Sequence, residues 1–255
     1  MASGGHGRSP DRLAAESVTK DFAGLRAVDD VSFALERGEV LGLIGPNGSG
    51  KTTTINLLTG LLHLTSGRVI LGETNVSGWP PYRIARSGLA RTFQIVKLFK
   101  DFSVRENVEV AAISARGVSR SEARRRAEEA LSRVGISHLG DVPASILPQG
   151  EERRVEVARA LATDPAFLLL DEPGAGLNDA EVEVLMPTLD RIRHDVGCGI
   201  LIVDHDMRLI MGLCDRIHVL NYGKTIAEGT PDEVRRQPAV IEAYLGTETE
   251  EVGAG

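Results

Sequence analysis

Long apolar runs are what this 255-residue chain lacks first. No stretch approaches the roughly 18 to 20 apolar residues that a helix needs to cross a hydrocarbon core, so no membrane-spanning helix is expected. The segment from Met1 to Arg12 is rich in Gly, Ser and Arg and has no apolar core; it reads as a disordered tail and not as a signal peptide. A basic excess is missing too. Lys and Arg number 29 against 36 Asp and Glu, a net charge of -7, which argues against a nucleic-acid footprint. Cysteine is scarce: Cys198 and Cys214 both lie amid apolar neighbours. They read as small buried hydrophobes in a reducing compartment before they read as a disulfide or a metal site. What remains, 42 % hydrophobic and 25 % charged residues, is ordinary globular composition, enough for one large domain or a domain with a smaller insert.

Val31, Phe33 and Leu35 alternate with polar residues, the period of a half-buried strand. After the turn Glu36-Arg37-Gly38-Glu39, the short apolar run Val40 to Ile44 suits a strand buried on both faces. A glycine-rich loop follows, then a helical pattern with Ile55, Leu58 and Leu62 on one face. Phe167 to Leu170, Ile200 to Val203 and Ile217 to Leu220 are further apolar runs of strand length. Val182, Leu185, Met186, Leu189 and Ile192 mark an intervening helix that Pro187 should kink or interrupt. Strands alternating with helices predict an α/β fold around a mostly parallel sheet. From Ser119 to Val134 the character changes. Ala123, Ala127, Ala130, Leu131 and Val134 fall at helical spacing, and Arg124, Arg125, Arg126, Glu128 and Glu129 fill the other face. An inserted helical subdomain is predicted there, its arginines forming either a solvated face or a docking surface.

Gly45-Pro46-Asn47-Gly48-Ser49-Gly50-Lys51-Thr52 fits G-x-x-x-x-G-K-[ST] at every fixed position. Its glycines let backbone N–H groups turn inward around phosphate oxygens, and the next helix points its positive end at the same anion. Lys51 can reach the β- and γ-phosphates, the Thr52 hydroxyl can ligate Mg²⁺, and Thr53 can contact the α-phosphate. Asp171 closes an apolar strand, where a carboxylate can hold Mg²⁺ through water. Glu172, beside it, can accept a proton from an attacking water. His205, just beyond the run Ile200 to Val203, can sense or stabilise a γ-phosphate.

These pieces in this order resemble the ATP-binding cassette family, over about Leu13 to Gly246. Gly45 to Thr52 looks like its Walker A and Phe167 to Glu172 like its Walker B. Gln94 in Arg91-Thr92-Phe93-Gln94 looks like its Q-loop, Gly176-Leu177-Asn178-Asp179 its D-loop, and His205 its switch histidine. The stretch Leu147-Pro148-Gln149-Gly150-Glu151 stands where its signature helix begins. A small GTPase would share the phosphate loop, but the chain has no N-K-x-D guanine-reading motif. The resemblance implies a P-loop core with an antiparallel β part and a helical subdomain over about residues 95–160, within a domain spanning 13–246 and flanked by tails at 1–12 and 247–255. It implies ATP and Mg²⁺ as cofactors. Two domains would sandwich two ATP molecules, each between the Walker A of one chain and the signature, here Gly150, of the other. Gln94 would join the γ-phosphate and Mg²⁺ to a membrane partner, and Phe22 would stack on adenine, for which an aromatic face is suited.

Finer features resemble the branched-chain amino-acid importer ATPases, a subfamily that also includes urea and short-amide importers. They are Ile84-Ala85-Arg86, Ala90 to Gln94, Leu98-Phe99, Glu106-Asn107-Val108, His205-Asp206-Met207, Asn221-Tyr222-Gly223-Lys224 and Glu242-Ala243-Tyr244-Leu245-Gly246. The implied partners are a second ATPase chain, either a copy or a related paralogue, integral membrane permease subunits and an extracytoplasmic substrate-binding protein. The implied place is cytoplasmic, on the inner face of the cell membrane. The departure is the signature itself. The family pattern is L-S-G-G-Q, and Pro148 and Gln149 replace its Ser and first Gly. Proline suits the first turn of a helix but supplies neither hydroxyl nor N–H to a partner's γ-phosphate, so a weakened contact across the dimer is expected. Two other readings share the motifs: the ATPase of a lipopolysaccharide-type exporter, and a non-catalytic ATP-binding regulatory subunit, which the altered signature suggests.

Overall fold

A computed structural model describes residues 10–92 and 97–251 of the chain, with the side chains of its last helix described as far as Tyr244. In chain order the elements are β1 (Arg12–Phe22), β2 (Leu25–Glu36), β3 (Val40–Ile44), α1 (Lys51–Leu58), β4 (Ser66–Leu71), β5 (Thr74–Asn75), α2 (Pro81–Arg86) and β6 (Leu89–Arg91). Then come α3 (Val104–Arg116), α4 (Arg120–Arg133), α5 (Gln149–Leu161), β7 (Phe167–Asp171), α6 (Asp179–Val196), β8 (Gly199–Val203) and α7 (Met207–Leu213). β9 (Arg216–Asn221), β10 (Lys224–Gly229), α8 (Pro231–Val234) and α9 (Pro238–Glu251) close the chain.

The strands form two sheets. One has four strands in the order β2-β1-β4-β5, all its pairs antiparallel. The other has six in the order β10-β9-β3-β8-β7-β6, parallel throughout except where β10 returns against β9. Every residue of β3, β7 and β8 is buried, as a parallel sheet covered on both faces requires. Their side chains alternate between two separate cores. Leu41, Leu43, Phe167, Leu169, Leu201 and Val203 join the core shared with α1 and the antiparallel sheet. Val40, Ile44, Leu168, Leu170, Ile200 and Ile202 join the core shared with α3 to α7. The α/β class, the mostly parallel sheet, the antiparallel part and the helical insert all appear in this arrangement.

Local chemistry explains where the helices start. Ser103 and Glu106 form a reciprocal capping box on α3, and Asn178 and Glu181 form one on α6. In α4 the arginines pair along their own helix: Arg124 with Glu128 at 3.2 Å, Arg125 and Arg126 with Glu122 at 2.7 Å, and Arg125 also with Glu129. That is a solvated face stitched at i,i+3 and i,i+4 spacing.

Four expectations are corrected. α1 stops at Leu58 and does not reach Leu62, because Gly60 turns into the left-handed region at φ 71°; Leu62 still packs on the same core. α6 is not interrupted at Pro187; Pro187 is exposed, so water can satisfy the carbonyl a proline leaves unpaired. β1 begins at Arg12, inside the segment expected to be a tail, because Arg12 pairs with Glu36 across the strands. α9 continues to Glu251 where a loose tail is expected from 247. Its nucleus is already formed upstream, and glutamate propagates a helix well.

Candidate functional site

The carboxyl ends of the central parallel strands gather most of the candidate residues. The glycine-rich loop leaves β3, Asp171 ends β7, and His205 follows β8 by two residues; in the ladder Asp171 stands opposite Val203. Parallel sheets bind ligands in the crevice at this end.

The loop is built for backbone to approach an anion. Gly45 has φ 150°, and a β-carbon there would fall within 2.7 Å of Ser49 Oγ; Gly50 has φ 104°, and a β-carbon there would stand 2.6 Å from the Ala27 carbonyl. Neither position admits a side chain. Gly50 is also the N-cap of α1, which has no side-chain cap and no acidic residue in its first turn. The N–H groups at that helix end therefore have no internal competitor for an anion. Asn47 and Gly48 are exposed, Ser49 is buried, and Thr52 is exposed beside a half-buried Thr53. Ser49 accepts at its carbonyl from Gly223 N–H at 3.0 Å, tying the loop to the β9–β10 turn. Lys51 Nζ donates to the carbonyls of Gly45 at 2.7 Å and Pro46 at 2.9 Å. Burial pushes its pKa below the ordinary lysine value, against the pull of the Glu172 and Asp171 charges.

Asp171 is 3 % exposed. Its carboxylate accepts from Arg91 Nη2 at 2.8 Å, and its N–H donates to Thr92 Oγ1 at 3.3 Å. Arg91 also donates through Nη1 to Asn56 Oδ1 of α1 at 2.6 Å. One guanidinium thus spans β6, β7 and the helix that follows the phosphate loop. Glu172 adopts φ 50°, a left-handed conformation unusual for a side-chain-bearing residue, and its N–H donates to the Val203 carbonyl at 2.7 Å. Strain of this kind clusters at functional sites. His205 projects outward, its side chain 77 % exposed.

Among the described residues, no cluster of three or more His, Cys, Asp or Glu side chains could hold a metal ion. The donors on offer are the Thr52 hydroxyl and the Asp171 carboxylate. That set suits Mg²⁺, which prefers one or two protein oxygens completed by phosphates and water.

Other candidates lie elsewhere. Phe22 ends β1, 41 % exposed, with Lys20 Nζ 4.9 Å from its ring centroid. Gly150 lies in the first turn of α5, where its nearest neighbours are Glu181 and Leu177 of the α6 entry. Pro148 is the N-cap of α5, one position before the helical turn expected for it, in extended backbone (ψ 157°) and with no side-chain cap bond. The Gln149 side chain lies over Gly176 of the loop before α6. Gln94, together with Phe93, Ile95 and Val96, lies outside the described residues.

Sequence reasoning assigns no role to Arg91 or to Asp204, although both carry a readable signal. Each is a charge appended to a buried apolar strand, and such a charge has to find partners. It also misses a groove of about 250 Å³ lined by Leu61, Ile84, Ala85, Leu89, Arg91 and Arg159, among others. Arg91 therefore lines the groove on one side of the sheet edge and holds Asp171 on the other.

Comparison with known proteins agrees with this geometry. Residues 28–175 match the family described as ABC transporter, and residues 224–250 match that described as branched-chain amino acid ATP-binding cassette transporter. The high-affinity branched-chain amino acid transport ATP-binding protein LivG of Salmonella typhimurium is 43 % identical over 248 residues, covering 92 % of this chain and 97 % of that protein. BraF of Pseudomonas aeruginosa, which carries the same description, is 39 % identical with the same coverage. The lipopolysaccharide export system ATP-binding protein LptB of Escherichia coli is 37 % identical over 234 residues, again covering 92 % and 97 %. Among solved structures, the ADP conformation of the ATP-binding cassette MJ1267 superposes with a TM-score of 0.84 at 31 % identity, covering 92 % of this chain and 99 % of that one. CbiO1 of Clostridium perfringens, part of the transporter complex cbiONQ, gives 0.82 at 30 % identity, covering 96 % and 98 %.

Proposed function

The chain belongs to the ABC transporter family as an ATP-hydrolysing subunit of an importer, and on that premise we propose how its residues serve ATP and what is imported. The glycine loop from Gly45 to Gly50 and the N-terminal end of α1 wrap the phosphates with backbone N–H groups. Lys51 exchanges its two carbonyl acceptors for β- and γ-phosphate oxygens, and the Thr53 hydroxyl meets the α-phosphate. Phe22 stacks on the base. Thr52, Asp171 and Gln94 would hold Mg²⁺, which would supply charge neutralisation for the phosphates. Glu172 accepts the proton of the water that attacks the γ-phosphate, and His205 donates to that phosphate as its charge develops. Gly150 meets the γ-phosphate of a second chain, a copy or a paralogue. No described helix is long and apolar enough to cross a membrane, and the family works with membrane permease components. The groove lined by Leu61, Ile84, Arg91 and Arg159, among others, supports the reading that the permease docks there. The chain then sits at the cytoplasmic face of the membrane.

For the cargo, the reading is branched-chain amino acids or related small amides, delivered by an extracytoplasmic binding protein. The observation that carries it is the match of residues 224–250, which comprise β10, α8 and most of α9, to the branched-chain amino acid family. Similarity to LptB at 37 % keeps lipopolysaccharide export as the second reading. Against the non-catalytic role that the altered signature suggests, Lys51, Asp171, Glu172 and His205 are all present in the chain.

Steady-state ATP hydrolysis by the chain assembled with its permease tests both parts. Leucine, isoleucine or valine presented on the binding protein should stimulate turnover, and stimulation by urea or a short amide alone would move the cargo to that class. Glu172→Gln should retain ATP binding and lose turnover. Normal turnover in that variant would remove Glu172 from its role.

A further inference from the structure

Asp204 is a buried carboxylate that the mechanism above does not use. It follows four buried apolar residues of β8 and is 3 % exposed. A carboxylate taken out of water needs compensation, and here backbone N–H groups supply it. Oδ1 accepts from His205 N–H at 2.7 Å and from Asp206 N–H at 2.9 Å. Oδ2 accepts from Gly174 N–H at 2.9 Å. The first two bonds hold the backbone that carries His205, while the imidazole points away, its Nδ1 3.7 Å from Oδ1. The third reaches the other side of the site, since Gly174 lies two residues beyond Glu172. A β-carbon at Gly174 would stand 3.0 Å from Oδ2, so the approach is already at its limit. Together with Glu172 N–H donating to Val203, this makes two ties between the loop after β7 and the end of β8.

We propose that Asp204 is a positioning residue that joins the Glu172 loop and the His205 loop into one unit. The geometry rests on distances alone, and its catalytic consequence rests on the reading of Glu172 and His205 given above. Charge-assisted bonds to backbone N–H are short and strong, so the two loops shift together and the proton acceptor keeps its register with the γ-phosphate contact. Asparagine is nearly the same shape but cannot do this. Its amide oxygen serves one loop, and its NH₂ then faces an N–H donor on the other.

The test is Asp204→Asn in the full-length chain, read first by amide hydrogen exchange. Exchange should quicken by about tenfold or more in 172–176 and 204–207 together, as local opening of one shared unit requires. Quickening confined to 204–207 overturns the proposal. In steady-state hydrolysis the variant should lose roughly tenfold in kcat, the scale of one charge-assisted hydrogen bond, with KM for ATP nearly unchanged. In a His205→Ala background the same substitution should cost less than about threefold, because residues acting as a unit are non-additive; penalties that multiply overturn the proposal. Normal turnover of His205→Ala alone would sink the role given to His205, while hydrogen exchange would still decide whether Asp204 joins the loops. Gly174→Ala presses on the same carboxylate from the opposite side. It should loosen both segments likewise, and it serves if Asp204→Asn does not fold.

Discussion

Arg91 brings a guanidinium, its side chain 8 % exposed, against an Asp171 carboxylate that is 4 % exposed. Removing one member of such a pair leaves the other charged and desolvated. Arg91→Met should therefore destabilise the fold by about 3 to 5 kcal/mol, read from the urea midpoint. Arg91→Lys should fall between, because an ammonium has no planar fork with which to hold Asp171 and Asn56 at once. At this scale the sequence is informative where a residue's chemistry is fixed by its neighbours in the chain. Asp171 belongs at a strand end because it follows the apolar run Phe167 to Leu170, and Glu172 and His205 each stand one residue beyond a carboxylate that ends such a run. Asp204 also follows such a run and Arg91 follows the short pair Leu89-Ala90, yet partners of theirs lie 80 and 30 residues away, at Asp171 and Gly174. No local pattern names a partner at that distance.

The helix α5 shows what an element adds to its residues. Its N-cap is Pro148, which offers no side-chain acceptor to the first N–H groups, and its first turn carries Glu151 and Glu152, which favour that helix end electrostatically. Pro148→Ser places a preferred N-cap residue in backbone already extended, which should stabilise the helix by about 1 kcal/mol. On the proposed ATP-bridged dimer, the hydroxyl should also restore a contact to the opposite γ-phosphate. Hydrolysis should rise roughly ten- to a hundredfold if the gain of about 1.5 to 3 kcal/mol falls on the transition state. Unchanged hydrolysis beside a raised melting temperature would mean that Pro148 matters only to its own helix. The elements themselves are legible where an apolar run or a strong period marks them, as the runs do for β3, β7 and β8 and the helical spacing does for α4. A single residue taken without its surroundings is a poorer guide. Pro187 does not break α6, because the helix face it occupies is wet, and Leu62 keeps its place in the core after α1 has ended, because Gly60 redirects the chain and not the packing.

At the scale of the molecule, ATP should drive association. With Glu172→Gln to block turnover, Mg-ATP should double the sedimenting mass of the chain, alone or mixed with its paralogue. A chain that stays monomeric in both conditions would place the signature region outside any ATP-bridged interface. Gln149 and Gly150 already lie against Gly176 and Glu181 of their own chain, so the surface offered to a partner is assembled before the partner arrives. The six-stranded sheet has one further consequence. Its central strands send alternate side chains into two apolar compartments that do not mix, and both are packed tightly enough to transmit strain. A push that tilts the helices on one side does not diffuse through the interior. It travels along a stiff plate and emerges at the plate's rim, where the loops after β3, β7 and β8 stand. The chain is in that sense a lever with its fulcrum built in, and on the proposed function a small displacement at the groove by Arg91 should be delivered to the loop from Gly45 to Gly50.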